Sequence, residues 1–252
     1  MTTVAILQPG YLPWLGFFEQ MHRADVFMYL DDVQYTKNDW RNRNRVKTAH
    51  GPTWLTVPVI TSGRAAEDLR DATIADDSWP RRHGRTVELA YAKAPFVGLA
   101  EGLFEIWRDP PRMLLTLDVL VIEWCKAVLG LTTPTVFASS FDVTENDASA
   151  RLVRLCKEVA ADIFYEGAAG RGYLDPSPFD RAGIKVVFQD YRHPLYLQQH
   201  LSQGFVSHLS VLDLILNTGP DALAILSGQI TSGPLPSLAI RHADEFRKGS
   251  SA

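Results

Sequence analysis

The chain has 252 residues, 46% of them hydrophobic and 21% charged, with a formal net charge of −4 and two cysteines. That is ordinary globular composition, so it excludes long disorder, and a chain this long buries roughly three-quarters of its unfolded surface without staples. Cys125 and Cys156 lie in apolar helical stretches with no zinc spacing, and Lys and Arg are spread along the chain, which argues against a disulfide framework, a metal site and a DNA partner.

Met-Thr-Thr-Val-Ala-Ile-Leu-Gln-Pro opens the chain with no basic region and no cleavage site, so a cytoplasmic location is expected. Val4 to Leu7 reads as a buried strand ended by Gln8-Pro9-Gly10. Trp14 to Arg23 has helical spacing, and Val26 to Leu30 is a second buried strand ending at Asp31-Asp32. Val33 to Lys47 is polar and aromatic and reads as irregular. Trp54 to Ile60 is a third strand, Thr61 to Asp68 a polar loop and Ala72 to Ile74 a short strand.

Pro80 to Leu131 is helical with a break at Asp109-Pro110-Pro111. Its most apolar part, Met113 to Leu131, carries Asp118, Glu123 and Lys126, so it reads as a buried helix and membrane insertion is not expected. Thr135 to Ala138, Ile163 to Tyr165 and Gly183 to Gln189 are further strands. Asn146 to Ala161 is an amphipathic helix, and Val211 to Leu216 and Pro220 to Leu226 are helical, with Ser210 and Asp213 close to a capping box. The alternation predicts an α/β fold over residues 1–246: a mostly parallel twisted sheet with helices on both faces, Rossmann-like and three-layered, with a helical C-terminal part. Residues 247–252 read as a disordered tail.

Ligands of open α/β sheets sit beyond the carboxyl ends of strands. Four polar strand ends are expected to converge there: Gln8 to Tyr11, Asp31 to Gln34, Ser139-Ser140 and Glu166-Gly167. Gln8, Tyr11 and Trp14 precede a helix whose positive end suits an anion. Asp31 or Asp32 suits a general base, an orienting carboxylate or an amine site. Gln34 follows the two aspartates, and Lys37, Arg43 and Asn44 belong to the basic, amide-rich run Lys37 to Lys47, in which Arg41, Arg43 and Arg45 would share one side of an extended chain and bind phosphate or carboxylate. His83 and His193 are the candidate proton carriers. Tyr173 and Asp175 follow a Gly-rich stretch, Gln198 follows His-Pro, and Ser140 is the best-placed hydroxyl. No nucleophile elbow is present, so a covalent mechanism is not expected.

The stretches QPGYLPWLGFF, ADVFMYLDDVQYTKNDWRNRNRVK, LTVPV, Trp79 to Pro95, the serine pair at 139–140, GYLD, HPLYLQ and LSVLDLILNTGP resemble the WbqC-like protein family. Leu7 stands where many members carry a His before the Gln, and Glu166-Gly167 where Ser-Gly is common. The resemblance implies genes of O-antigen, other surface-polysaccharide and small-molecule biosynthesis, and an aminoacyl- or glycyl-transferase role on an amino sugar.

On that reading an acyl- or aminoacyl-transferase modifies the amine of an amino sugar or similar metabolite. His83 or His193 takes the proton, Asp31 or Asp32 orients, and Gly10 or Gly167 N–H groups with Ser140 hold the oxyanion. Arg43 and its neighbours bind the donor's phosphate. The partners are a small-molecule acceptor and an activated acyl donor, free or on a carrier protein or tRNA, with no tightly bound cofactor implied. The alternatives are an ATP-dependent ligase or nucleotidyltransferase, cued by the opening strand–loop–helix, and a non-catalytic binder of a carrier protein or glycan precursor.

Overall fold

The computed structural model describes residues 1–37, 39–60 and 68–230. The first element is β1 (Thr3–Leu7), followed by α1 (Leu15–Arg23) and β2 (Val26–Tyr29). A hairpin of β3 (Arg43–Thr48) and β4 (Gly51–Thr56) comes next, then the helices α2 (Trp79–Ala90), α3 (Glu101–Arg108) and α4 (Leu114–Leu129). The chain continues with β5 (Thr135–Phe137), α5 (Ala148–Glu158), β6 (Ile163–Glu166), α6 (Ser177–Ala182) and β7 (Lys185–Phe188). It ends with α7 (Val211–Thr218) and α8 (Ala222–Leu226).

Five strands form one parallel sheet in the order β5-β2-β1-β6-β7. Val4 of β1 lies between Val26 of β2 and Phe164 of β6. The central strands are apolar on both faces, as helices on both sides require. Ala5, Phe27 and Tyr29 turn into the larger core, with Phe18 of α1, Val87 of α2, Leu103 of α3, Val121 of α4 and Leu214 of α7. Val4, Ile6, Met28 and Phe164 turn the other way onto Leu155 and Cys156 of α5 and Phe179 of α6. The expected α/β architecture, with its helical C-terminal part, is therefore the one observed. Each large side chain fully buried in these layers contributes about 1.5–3 kcal/mol.

Helix ends follow their local chemistry. Asp147 accepts a hydrogen bond from the Ala150 N–H at 2.7 Å to start α5. Gly130, at φ 72°, closes α4 in the left-handed conformation. Ser210 caps α7 through the Leu212 N–H at 3.2 Å. Asp213 does not complete a capping box; it bonds two tyrosines elsewhere. No described helix is long and apolar enough to cross a membrane.

Three expectations need correction. The segment Val33 to Lys47 is not wholly irregular, because its second half is β3. Asn44 and Lys47 are buried there although polar, which hides the strand from a hydrophobic pattern. The third strand spans Gly51–Thr56 and pairs antiparallel with β3, outside the main sheet. Ala72 to Ile74 makes only isolated bridges, Thr73 to Met113 and Ile74 to Val59. Residues 61–67 of the expected loop and the tail at 247–252 lie outside the described residues.

Candidate functional site

The chain leaves β1 for β2 and β5 on one side, then returns to β6 and β7 on the other. The strand order therefore reverses between β1 and β6, the place where open α/β sheets leave a crevice beyond their carboxyl ends. A cavity of about 980 Å³ occupies it. Gln8, Pro9 and Gly10 after β1, Leu30 and Val33 after β2, and Glu166 and Gly167 at the end of β6 form its floor. Pro13 and Trp14 before α1, and Asn146, Ala148 and Arg151 at the start of α5, bring two helix N-termini to its rim. Asp39, Trp40, Arg41 and Asn44 form the wall beside the hairpin.

The loop after β1 is held tightly. The Tyr11 N–H donates to the Trp40 and Arg41 carbonyls at 3.2 and 3.1 Å. A Cβ on Gly10 would come within 2.7 Å of the Trp40 carbonyl oxygen, so only glycine allows this approach. Leu12 sits at φ 49°, a conformation that costs a β-carbon residue about 1 kcal/mol or more. Asn44 fixes it by donating to the Leu12 carbonyl at 2.7 Å. Trp14 then stacks on His208, 5.7 Å between centroids, and meets Tyr191 edge-on.

The charges divide into ion pairs and two buried carboxyls, Asp118 and Glu166. Arg151 pairs with Asp32 at 2.5 Å, and Arg41 pairs with Asp39. Behind Arg41, Asp118 of α4 is fully buried with neither carboxylate oxygen hydrogen-bonded among the described residues. Burial holds that acid far above the usual carboxylate range, and Arg41 opposes the rise. Glu166 is 9% exposed and accepts a hydrogen bond from the Tyr173 hydroxyl at 3.0 Å. Burial raises its pKa, while the Tyr173 hydroxyl and the Gly167 N–H favour its ionised form. A Cβ on Gly170 would collide with the Glu166 side chain, so this glycine makes room for the carboxyl. His208 faces the same space, its pKa lowered first by burial and then by Arg45. The site can thus accept a proton at Glu166 and offer an anion two helix ends beside two ion-paired guanidiniums.

Of the residues expected from sequence, Gln8, Trp14, Asn44 and Tyr173 line the cavity. Asp32 reaches it through Arg151. The two histidines do not line it. His83 sits in an aromatic box of Tyr11, Trp79 and Trp107, with its Nδ1 2.9 Å from the buried Tyr11 hydroxyl. Tyr11 is therefore a core residue, because its ring turns away from the loop that presents its backbone. His193 has Nδ1 2.9 Å from the Pro194 carbonyl and packs behind His208 at 5.4 Å. Burial pushes both His83 and His193 down to about 4.

Other expected contacts hold the fold together. Asp31 accepts from the Ser139 N–H at 3.0 Å and hydroxyl at 2.6 Å, tying β2 to the turn after β5. Ser140 is exposed on that turn, and Asp175 accepts from the Ser177 N–H at 2.9 Å to start α6. Gln34 is exposed and bridges to Asp68, and Lys37 is exposed on a turn. Arg43 lies over Trp54 on the hairpin, 4.4 Å from the ring centroid. The expected row of three arginines is split: Arg43 and Arg45 share the outer face of β3, while Arg41 precedes the strand and enters the cavity wall. Gly167 lines the cavity, and its N–H favours the ionised form of Glu166.

Gln198 belongs to a sealed cluster. Lys47 Nζ donates to Gln198 Oε1 at 3.2 Å and to the Gly204 carbonyl at 2.5 Å. Asp213 accepts from the Tyr91 and Tyr196 hydroxyls at 2.8 and 2.9 Å. Burial lowers the Lys47 pKa and raises that of Asp213.

Sequence reasoning placed Glu166 at a strand end without giving it a role. It passed over Arg151, His208 and Trp40. Glu166 had a usable signal, a carboxylate directly after an apolar strand and before a Gly-rich turn. Arg151 had none, since it looks like any cation on the polar side of an amphipathic helix. Among the described residues no group of three or more His, Cys, Asp or Glu is arranged to hold a metal ion. Cys125 and Cys156 are buried, and burial pushes the Cys156 thiol up to about 12.

Fold and cavity together define an α/β protein of Rossmann-like strand order with its pocket at the switch point. The sequence matches the WbqC-like protein family over residues 8–225, and the chain belongs to that family. It is similar to the uncharacterized protein Rv1507c of Mycobacterium tuberculosis (strain ATCC 25618 / H37Rv), with 37% identity over 225 residues, 88% of this chain and 96% of the relative. No solved structure gives a significant match.

Proposed function

We propose that this protein is an acyl- or aminoacyl-transferase that modifies the amine of an amino sugar or similar small metabolite. The observation that carries this reading is Glu166. It is a buried carboxyl with a raised pKa, hydrogen-bonded to Tyr173 and facing a cavity between two helix N-termini and two arginines. Amide formation from an activated ester or thioester needs one group to remove a proton from the attacking amine. In this scheme the amine nitrogen bonds the acyl carbon as Glu166 takes its proton. The bond to the leaving sulfur or oxygen breaks, and Glu166 returns the proton to the leaving group. Tyr173 holds the carboxyl in position. Arg41, Arg151 and the ends of α1 and α5 favour a negatively charged donor or acceptor. The proton acceptor thus moves from His83 or His193, neither of which lines the cavity, to Glu166.

The test is transfer itself. The protein is incubated with an amino-sugar nucleotide and a panel of acyl thioester, carrier-bound and aminoacyl-tRNA donors, and the acceptor's mass is followed. Gain of one acyl group by the wild type, with loss in Glu166→Gln, supports the reading. No gain with any donor, together with tight binding of ATP and magnesium in calorimetry, favours the rival nucleotide-dependent ligase. What favours that rival is the switch-point position of the cavity, a frequent nucleotide site in open α/β sheets.

A further inference from the structure

We propose that Trp40, Trp54, Arg43 and Arg45 form a nucleotide platform at the mouth of the cavity, taking the adenine and phosphates of a coenzyme A-type acyl donor. This deepens the transferase reading and rests on it.

The two indoles are 49% and 42% exposed, although they come from different segments. Their centroids are 5.5 Å apart and the rings tilt by 48°. Water-facing indoles forfeit the burial that normally keeps tryptophan covered. On β3, Asn44 and Val46 turn inward while Arg43 and Arg45 turn outward. Arg45 lies directly opposite Trp54 in the hairpin register. The two guanidiniums sit 4.4 and 5.5 Å from the Trp54 ring centroid.

Neither arginine forms an ion pair with a described carboxylate, whereas Arg41 and Arg151 each do. Arg45 donates to the His208 carbonyl at 3.3 Å, and both Nε atoms lack a partner among the described residues. The platform is continuous with the cavity, because Trp40 lines it.

A cross-strand Arg–Trp pair on its own stabilises a hairpin by about 0.2–1 kcal/mol and needs only Trp54. It gives no reason for Trp40, which joins from a loop outside the hairpin. Two exposed indoles beside two cations without counter-charges among the described residues are what a base and its phosphates require: faces to stack on and forks for phosphate oxygens. A purine covers more of such a surface than a pyrimidine. A donor with a diphosphate and a further ribose phosphate answers both arginines. Coenzyme A carries its acyl group at the end remote from the base, so the base can rest at the mouth while the thioester enters toward Glu166.

Calorimetry on the full chain tests this with coenzyme A, pantetheine, ADP and UDP. Coenzyme A should bind, and pantetheine, which lacks the nucleotide, should bind about tenfold more weakly or worse. Trp54→Leu, Trp40→Leu and Arg43→Gln should each weaken coenzyme A by about tenfold, with the thermal midpoint lowered by about 4 °C at most. Glu166→Gln should bind it as the wild type does. No coenzyme A binding, or affinity unchanged in all three platform variants, overturns the proposal. UDP binding as tightly as ADP and equally sensitive to Trp54→Leu overturns the assignment to the donor. Platform-dependent coenzyme A binding without acyl transfer from any donor would sink the transferase reading and leave the platform standing. Transfer that needs Glu166 but proceeds without coenzyme A binding would do the reverse.

Discussion

Two polar clusters flank the β3–β4 hairpin, and their compositions are close. One joins Lys47, Gln198, Tyr91, Tyr196 and Asp213; the other joins Arg41, Arg151, Asp32, Glu166, Tyr173 and His208. The first is sealed, and its side-chain polar atoms are all partnered. It ties the hairpin to the end of α2, the segment 196–206 and α7. The second is open to a cavity and leaves valence unused: Asp32 Oδ1 and Arg41 Nε are buried without a partner among the described residues. A dense group of titratable side chains is therefore not by itself a site. What separates staple from site is access together with unspent hydrogen-bonding capacity.

The largest expected effect belongs to the open cluster. Glu166→Gln keeps the shape and the Tyr173 contact but removes the base, so turnover should fall about 10²–10⁴-fold in a single-turnover transfer assay. Its urea midpoint should stay near the wild type. A collapse in stability with little loss of rate per folded molecule would move Glu166 into the structural class. Next comes the sealed cluster. Asp213→Ala leaves two buried tyrosine hydroxyls without their acceptor and removes the carboxylate that favours the Lys47 charge, which costs about 3–5 kcal/mol by denaturant unfolding. Rate per folded molecule should not change. If Asp213→Ala were stable but inactive, the contrast between the clusters would fail.

The contrast also explains what could be read in advance. The sheet and its helices were legible because β1, β2 and β6 are short apolar runs closed by polar turns, and α1 and α5 carry clear helical spacing. The carboxyl-end convergence was legible for the same reason, since strand order in a parallel sheet brings those ends together. Assigning side chains within it was harder. His193 and Gln198 sit in a stretch as rich in hydrogen-bonding groups as any active site, yet those groups satisfy one another and Lys47. Tyr11 occupies the site's own loop, but Leu12 at positive φ and the inward ring leave only its backbone there. The hairpin escaped notice because Asn44 and Lys47, on opposite faces of β3, are both buried polar groups, which breaks the usual alternation. None of these choices is encoded in residue type alone; each depends on which neighbour the fold supplies.

A pH-dependent prediction follows from the aromatic box. His83 titrates near 6.5 when unfolded and is pushed down to about 4 by burial when folded. Between those values the unfolded chain binds more protons, so the His83 contribution is fully present above pH 6.5 and is lost as pH falls toward 4. The loss is worth about 3 kcal/mol at most. His83→Gln should cost about 1–3 kcal/mol at pH 7, because the Tyr11 hydroxyl loses its ring-nitrogen partner. It should also flatten the pH dependence of urea unfolding between pH 6.5 and 4. Were His83 the proton acceptor in transfer, the substitution would remove turnover as well.

The smallest expected effect is the most restrictive about where the site ends. Ser140 lies at the carboxyl end of β5, a strand of the same sheet edge, so topology alone would admit it to the site. The structure leaves it exposed on the turn, while its neighbour Ser139 is fixed to Asp31. Ser140→Ala should change stability by less than about 0.5 kcal/mol and leave turnover unchanged. Ser139→Ala, by contrast, removes a charged hydrogen bond at 2.6 Å and should cost about 1.5–3 kcal/mol. Strong loss of turnover in Ser140→Ala would mean that the cavity extends past β2 to β5 and that an oxyanion is held there. Equal turnover would confine the chemistry to the crevice between β1 and β6, where Glu166 and Arg151 face each other's helix and strand ends.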